Sequence, residues 1–189
     1  MKLHNLIIAT VLFACTSCHR NSATAEEPAQ TTQAQQELLD AGWTFETPSE
    51  DLSKDFGIEP VYGTQDNYFD ISIGTGCNVA VKIMDVRTNK CIRYVYVPEG
   101  GTTTVPEIPQ GIYYLKLAYG QDWMELITDS VTIGKFSKNV SYERSQDTFD
   151  FGIKNSREER SYKLEINVID SKLENNFQAT PINEEEFMR

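Results

Sequence analysis

From Tyr68 onward, short runs of β-branched and aromatic residues alternate with turn signals, and this pattern constrains the fold more than any other feature of the sequence. No long stretch follows a helical period, and turn signals recur every ~8–12 residues, which is typical of an antiparallel β-sandwich. We therefore predict an all-β sandwich over residues 68–182. Its predicted strands are residues 68–73, 79–86, 91–97, 102–105, 112–119, 124–133, 140–142, 148–153 and 162–169, with an edge strand at 177–182.

The segments on either side of this domain lack a strand pattern. Residues 37–67 are predicted as a short helical or irregular transition segment, in which Thr47-Pro48-Ser49-Glu50 has the form of a capping box that opens a helix. Gly57 and Pro60 would end that helix. Residues 183–189 are rich in glutamate and are predicted as a solvated acidic tail. A short amphipathic turn of helix is expected at Leu38, Leu39 and Trp43.

The first hairpin of the domain indicates which face of its strands is buried. With Thr88 and Asn89 as a two-residue loop, Val81 would lie opposite Tyr96. One face is then apolar and is expected in the core; it carries Val79, Val81, Ile83, Ile92, Tyr94 and Tyr96. The other face is expected to meet solvent; it carries Ala80, Lys82, Met84, Val86, Cys91, Arg93, Val95 and Val97. Cys77 and Cys91 fall on different faces, so we predict no disulfide between them.

The strand at 112–119 and the loop after it hold most of the residues that suggest binding. Alternation along this strand places Tyr114 and Lys116 on the outer face, near Arg93, while its core face carries Tyr113, Leu115, Leu117 and Tyr119. An exposed strip of aromatic rings and cations suits a protein partner or a glycan. The alternative is that Tyr114 only covers the outer face of the sheet under a loop. The candidate binding surface consists of Arg93, Tyr114, Lys116, Asp122 and Trp123.

The residue types in the predicted domain limit its chemistry. The two histidines, His4 and His19, both precede the domain, which excludes Ser-His-Asp and Cys-His catalysis and histidine-based zinc sites from it. No nucleotide-binding loop or nucleophile elbow is present either. We therefore predict no catalytic residue, no metal site and no cofactor. A paired-carboxylate hydrolase built on Asp122 and Glu125 beside Trp123 is the catalytic alternative; otherwise these are a loop acid and a tryptophan at the edge of the core.

The charge balance limits the partners. The chain has 28 acidic and 17 basic residues, a formal net charge of −11. Nucleic-acid binding depends on clustered Lys and Arg contacts to phosphate, so we predict no nucleic-acid partner.

The N-terminus has the features of an export signal. Lys2 precedes an apolar stretch over residues 6–14 that is too short to cross a bilayer as a helix. Leu12-Phe13-Ala14-Cys15 resembles the lipobox of bacterial lipoproteins, and Cys18 also follows a small residue. The resemblance implies that either Cys15 or Cys18 carries lipid, with residues 1–18 as signal and lipobox; an ordinary secretory signal is the alternative. Residues 19–36 are small and polar and are predicted as a disordered tether.

Part of the predicted domain resembles a known family. Asp85-Val86-Arg87-Thr88-Asn89-Lys90 is similar to the D-x-x-T-G-K hairpin of carboxypeptidase-regulatory and transthyretin-like domains, with Asn89 where Gly is commoner. Pro109-Gln110-Gly111-Ile112-Tyr113-Tyr114-Leu115 is similar to their P-x-G-x-Y-x-L strand. The resemblance covers roughly residues 68–120 and implies a prealbumin-like or immunoglobulin-like sandwich. Residues 113–123 are also similar to uncharacterised bacterial lipoproteins, which bring no known activity.

Together these features predict a function in the envelope of a Gram-negative bacterium. We expect a protein held at the outer membrane by its N-terminal lipid, on the periplasmic side or exposed at the surface. Its expected role is a non-catalytic binding or assembly module that contacts a protein or glycan through its sheet face or loops. The alternatives are the small carboxylate-dependent hydrolase and a structural accessory subunit of an envelope secretion or uptake complex.

Overall fold

The computed structural model describes residues 31–129, 131–152, 160–169 and 172–189, and most of its regular structure is β. Helix α1 spans Gln33–Asp40 and helix α2 spans Glu184–Met188. The strands are β1 (Thr44–Phe45), β2 (Tyr68–Ile73), β3 (Asn78–Asp85), β4 (Cys91–Val97), β5 (Thr102–Pro106), β6 (Ile112–Ile127), β7 (Thr132–Ser145), β8 (Phe149–Asp150), β9 (Tyr162–Ile169), β10 (Lys172–Asn175) and β11 (Ala179–Pro181). The predicted signal and lipobox, and the tether up to residue 30, lie outside the described residues.

The described strands form two sheets, which agrees with the predicted two-sheet β fold. The large sheet has the order β11-β7-β6-β3-β4, and β1 and β8 also pair with β6. The small sheet has the order β10-β9-β2-β5. Its central pair, β2 and β9, is parallel, with Ile71 opposite Leu164, so the prediction of a purely antiparallel arrangement is wrong for this pair. The long stretch of chain between these strands allows the crossover that a parallel pair needs.

The main core lies between the two sheets and follows the alternation of the strands. Strands β2, β5 and β9 of the small sheet and strands β3, β4 and β6 of the large sheet direct apolar side chains into it. Burying each of these side chains contributes about 1.5–3 kcal/mol to stability. The least exposed members are Phe69, Ile71, Val79, Val81, Ile83, Val97, Ile108, Leu115 and Leu117. The predicted core face of the strand at 112–119 is confirmed, because Tyr113, Leu115, Leu117 and Tyr119 all lie in this cluster.

The register of the β3–β4 hairpin differs from the prediction by one residue. Val81 lies opposite Val95 rather than Tyr96, and a bulge follows Ile83. The loop is longer than two residues, because the Asp85 amide donates to the Lys90 carbonyl at 2.9 Å. A shift of one residue exchanges the two faces of a strand. On β4, Val95 and Val97 are therefore in the core, whereas Tyr94 and Tyr96 are on the outer face of the large sheet.

A second apolar cluster covers that outer face. It contains Leu52, Ala80, Tyr94, Ala118, Trp123, Phe136 and Phe187. The segment before β2 contributes Leu52, whose amide donates to the Tyr94 carbonyl at 2.8 Å, and Asp51 forms a bridge with Val95. This segment pairs with β4 instead of forming the helix predicted to begin at Thr47-Pro48-Ser49-Glu50, because its backbone groups find partners at the open edge of the sheet.

The C-terminal residues form part of the same covering layer. Asn183 caps α2 by accepting a hydrogen bond from the Glu186 amide at 2.8 Å. Phe187 is 1% exposed and packs against the rings of Tyr94 and Tyr142. The predicted solvated tail is therefore wrong for this face of α2: its glutamates meet solvent, while Phe187 anchors it to the sheet.

Strands β6 and β7 extend beyond the rest of the large sheet as a long hairpin. The sequence predicted that Gly120 ends a strand, but β6 continues through a register shift at that position to Ile127. A side chain at Gly120 would place its Cβ 2.4 Å from Cβ of Phe136, so the glycine permits close passage of the two strands. The predicted strand 124–133 is wrong, because it spans the turn between β6 and β7.

Helix α1 packs against this hairpin. Thr32 and Gln35 form its capping box, so the helix begins inside the stretch that the sequence assigned to the tether. Gln35 is buried, and its side-chain amide donates to Asp122 and Ser137 of the hairpin. Within the described residues, no helix is long and apolar enough to cross a membrane.

Candidate functional site

The five predicted binding residues lie in three separate places. Cross-strand register puts Lys116 of β6 between Lys82 of β3 and Arg144 of β7, on the outer face of the large sheet. Arg93 lies opposite Ile83, so it belongs to the other face of that sheet. Asp122 and Trp123 lie on the part of β6 that extends past Gly120. The predicted single strip is therefore wrong, and the shifted register of β4 is the reason for the displacement of Arg93.

Three cations occupy directly opposite positions on neighbouring strands. This basic row consists of Lys82, Lys116 and Arg144. Like charges in opposite cross-strand positions repel each other. Lys82 and Lys116 are also buried, at 7% and 5% exposure. Burial lowers the pKa of both ammonium groups, and the proximity of the two lysines lowers the pKa of Lys82 further.

The ammonium groups of the row contact backbone carbonyls of α2. Lys82 Nζ donates to the carbonyls of Phe187 and Met188 at 3.1 and 3.3 Å, and Lys116 Nζ donates to the Glu186 carbonyl at 2.5 Å. Lys82 Nζ also lies 4.8 Å from the centre of the Phe187 ring. Among the described residues, no carboxylate lies within 4.0 Å of either ammonium. Carbonyl oxygens of α2 therefore accept hydrogen bonds from both ammonium groups, and the rings of Tyr94 and Phe187 also face Lys82. The Glu186 carboxylate acts on the Lys116 charge from a greater distance.

Tyr114 lies beside the row and is buried, with 5% exposure. The Arg144 guanidinium stacks over its ring at 4.3 Å from the centroid, and its hydroxyl donates to Asn89 Oδ1 at 3.4 Å. Burial raises the pKa of Tyr114, and Arg144 partly offsets that rise. The expected exposed aromatic strip is wrong at this position. Tyr114 covers the outer sheet face instead, as the alternative interpretation held, with α2 as its neighbour.

A pocket of about 370 Å³ opens at the end of the basic row, and we call it the outer pocket. Its cations are Lys116, Arg144 and Arg189. Its carboxylates are Glu186, 3.9 Å from Arg144, and Glu185, which pairs with Arg189. The rest of the lining comes from Asn89, Tyr114 and Asn183. Lys116 and Arg144 thus bring N–H donors to the lining of this pocket, where two carboxylates are also present.

Arg93 lies away from this pocket and is 2% exposed. Its Nη1 donates to the carbonyls of Val61 and Ile92, the latter at 3.0 Å. The guanidinium also stacks on the Tyr62 ring, 3.8 Å from the centroid. Burial lowers the pKa of Arg93, and the nearby Asp51 carboxylate opposes that change. The sequence placed Arg93 on a solvent-facing strip, whereas its side chain lies at the edge between the sheets.

Asp122 and Trp123 each form a side-chain hydrogen bond within the fold. Asp122 has a positive φ of 55° next to the register shift in β6, and its Oδ2 accepts a hydrogen bond from Gln35 at 2.9 Å. Trp123 is 4% exposed in the second cluster, and its indole N–H donates to Glu125 Oε1 at 2.9 Å. Each carboxylate of the hydrolase alternative thus accepts a hydrogen bond within the fold: Asp122 from helix α1, and Glu125 from Trp123 of the same strand.

The two described cysteines are free. Cys77 is in the main core, while Cys91 contacts the second cluster on the other face of the large sheet. Burial raises the pKa of each thiol to about 11. In the part of the chain that the structure describes, no group of three or more His, Cys, Asp or Glu side chains could hold a metal ion.

Sequence reasoning missed Arg144, Asn183 and Arg189 as members of the outer pocket. The pairing of β6 with β7 brings Arg144 next to Lys116, and no local pattern encodes that register. The sequence did carry one signal for this helix: Asn183 is a favourable N-cap, the three glutamates that follow suit a first helical turn, and Phe187 and Met188 supply apolar side chains that can dock on a sheet.

Comparisons with protein families, with curated proteins and with solved structures found no match for the chain.

Proposed function

We propose that this protein is a lipid-anchored binding module of the bacterial cell envelope, without catalytic activity, and that its outer pocket binds an anionic group of a partner. The observation that carries the proposal is the basic row. Two buried ammonium groups and one guanidinium lie in neighbouring cross-strand positions in a chain of net charge −11. Among the described residues, the hydrogen-bond acceptors of the buried pair are all backbone carbonyl oxygens.

The energetics of the row favour a ligand over a purely structural role. Removing a charge from water is costly unless an opposite charge and hydrogen bonds compensate. The large sheet holds Lys116 and Arg144 in cross-strand positions despite their repulsion. An oxyanion in the outer pocket would relieve that repulsion and accept hydrogen bonds from both side chains. The geometry is preorganised, because β6 and β7 fix both side chains before a ligand arrives.

The chemistry of the pocket points to a carboxylate. Arg144 is about half exposed, and its guanidinium can donate two parallel hydrogen bonds to a carboxylate. The side-chain amides of Asn89 and Asn183 provide neutral donors beside it. A carboxylate of this kind occurs on an acidic glycan and on the side chains of an acidic protein segment. Both sources are consistent with the glycan or protein partner expected from the sequence.

The anchor and the tether support the envelope location. Cys15 or Cys18 would hold the protein to the outer membrane, and the polar residues that follow would keep the domain away from the lipid surface. The resemblance of residues 68–120 to carboxypeptidase-regulatory and transthyretin-like domains supports a prealbumin-like classification of the two sheets.

Titration calorimetry on the full-length protein tests the proposal with two probes, a uronic-acid oligosaccharide and a polyglutamate peptide. We expect one of them to bind, with affinity that falls as salt increases. Arg144→Gln should weaken that binding at least about tenfold, because a charge-assisted hydrogen bond is lost. Lys163→Met, which removes an exposed cation from the small sheet, is the matched control and should leave affinity unchanged.

The two probes distinguish the source of the carboxylate. Binding of the oligosaccharide alone would identify a glycan partner, and binding of the peptide alone a protein partner. Absence of binding to either probe, or equal losses in Arg144→Gln and Lys163→Met, would overturn the proposal.

A further inference from the structure

One residue of helix α2 lies against both cations that the proposed site offers to a ligand. The Glu186 backbone carbonyl accepts a hydrogen bond from Lys116 Nζ at 2.5 Å, and Glu186 Oε1 lies 3.9 Å from Arg144 Nη1. All three residues line the outer pocket. The protein therefore places a carboxylate of its own beside the guanidinium that the proposed function assigns to the carboxylate of a partner.

Both side chains of the Glu186–Arg144 contact are open to solvent. The Arg144 side chain is 46% exposed and the Glu186 side chain is 42% exposed. An ion pair with this exposure contributes little to stability, because water and salt screen its two charges. A dissolved ligand can therefore reach the guanidinium, and the fold does not depend on the Glu186 carboxylate remaining beside it.

The length of the contact leaves room for a better acceptor. A guanidinium that forms a charge-assisted hydrogen bond with a carboxylate approaches it to about 2.7–2.9 Å. The distance of 3.9 Å from Glu186 to Arg144 exceeds this range, so the two charges attract each other without a direct hydrogen bond. A ligand carboxylate that comes within hydrogen-bond distance of Arg144 would hold the guanidinium more strongly than Glu186 does.

Helix α2 is docked by groups other than this carboxylate. The Glu186 amide donates to the side chain of Asn183 at 2.8 Å, and the Glu186 carbonyl accepts from Lys116. Phe187, the next residue, is 1% exposed within the second cluster. Because the backbone and this phenylalanine hold the helix, the Glu186 side chain can move away from Arg144 while α2 stays in place.

We infer that Glu186 is an internal competitor that the carboxylate of a partner displaces from Arg144 on binding. This inference rests on the proposed function, because it concerns the same outer pocket. In the free protein, Glu186 offsets part of the guanidinium charge. In the complex, the ligand carboxylate takes that place and the Glu186 side chain turns to solvent. Part of the binding energy is therefore spent on separating Glu186 from Arg144.

Titration calorimetry of full-length Glu186→Gln with the uronic-acid oligosaccharide and the polyglutamate peptide tests the inference. Glutamine keeps the size of the side chain and the backbone contacts of α2, but it removes the competing charge. We expect the variant to bind its probe about three to five times more tightly than the wild type, which is the effect of losing one exposed ion pair.

Glu184→Gln is the matched control. It removes the same charge from the same turn of α2, but its partner, Lys135, does not line the outer pocket. Its affinity should differ from that of the wild type by less than about twofold, because solvent and salt screen the more distant charge.

A double-mutant cycle with Arg144→Gln shows whether the competition acts through that guanidinium. With Arg144→Gln already present, Glu186→Gln should bring no more gain than Glu184→Gln does. Equal affinities of Glu186→Gln and Glu184→Gln, or the same gain with and without Arg144, would overturn the inference and leave the proposed function intact. Binding by Glu186→Gln but not by the wild type would support the competitor and contradict the binding role of the wild type. Absence of binding in both would overturn both.

Discussion

Lys82 and Lys116 are unusual because they are buried cations without a carboxylate within reach among the described residues. The ion pairs that the structure does show, such as Lys135–Glu184 at 3.1 Å, involve partly exposed side chains and contribute little to stability. The two buried ammonium groups instead depend on carbonyl oxygens of α2. At the scale of single residues, the binding role proposed for the basic row therefore comes at a cost in stability.

Lys116→Met tests that opposition. The variant removes the desolvation cost and the repulsion from Lys82 and Arg144, at the loss of one hydrogen bond to Glu186. We expect its free energy of unfolding at neutral pH to equal that of the wild type or to exceed it by up to about 1 kcal/mol. Urea unfolding of the two proteins measures the difference. A loss of more than about 2 kcal/mol would show that the charge itself stabilises the fold.

The buried thiols predict a dependence on alkaline pH. In the unfolded chain each thiol ionises near pH 9.0, whereas in the folded protein the pKa of Cys77 and of Cys91 is about 11. Between these values the folded state holds more protons than the unfolded state, so stability falls as pH rises from about 9 to about 11. Cys91→Ala should flatten this decline. Urea midpoints across the same range measure the slope, and an unchanged slope in the variant would contradict the assignment.

At the scale of elements, the alternation of apolar and polar residues predicted the buried face of β6 correctly. The loop length assumed for the β3–β4 hairpin was wrong. Strand β6 places Tyr113 to Tyr119 as the pattern predicted, because apolar residues repeat along it every second position. The prediction of the β3–β4 hairpin was wrong at its turn. Asn89 does have the expected positive φ, at 54°, but the loop is longer and a bulge follows Ile83. The same sequence is compatible with a two-residue loop and with a longer loop followed by a bulge. Only the packing of Val95 against the core distinguishes these two registers.

Helix α2 is the element that closes the outer face, and Phe187 is its main contact with the sheet. Phe187→Ala should destabilise the protein by about 3 kcal/mol, because it removes a fully buried ring and leaves a cavity. Phe45→Ala is the control, since that ring is 46% exposed. Thermal and urea unfolding measure both variants. Similar small losses in the two would mean that α2 is not held to the sheet by its phenylalanine.

At the scale of the molecule, the large sheet separates the outer pocket from Arg93. The outer pocket contains three cations, Lys116, Arg144 and Arg189, whereas Arg93 lies on the opposite face of the sheet near the Asp51 carboxylate. The sequence identified Arg93, Tyr114 and Lys116 as candidates but joined them into one surface. Their separation follows from strand register, and the outer pocket also needs α2, which only tertiary packing positions.

The proposed envelope location depends on the N-terminal cysteines. Metabolic labelling with a clickable fatty acid should mark the wild-type protein. Replacing one of the two, Cys15→Ala or Cys18→Ala, should abolish the label, while the other change leaves it intact, because a single cysteine becomes the lipidated N-terminus. Persistent absence of label in the wild type would favour an ordinary secretory signal instead.

The most direct measurement of the central claim is thermal unfolding of the full-length wild type, Arg144→Gln and Lys163→Met with and without a saturating carboxylated probe. A ligand that binds only the folded state at about 100 times its Kd stabilises it by about 2.7 kcal/mol. We predict a clear rise in Tm for the wild type and Lys163→Met with one of the two probes, and at most about half that rise for Arg144→Gln, because a tenfold loss of affinity leaves about 1.4 kcal/mol of stabilisation at the same probe concentration. A rise of the same size in all three proteins, or in none, would contradict an anion-binding site at the outer pocket.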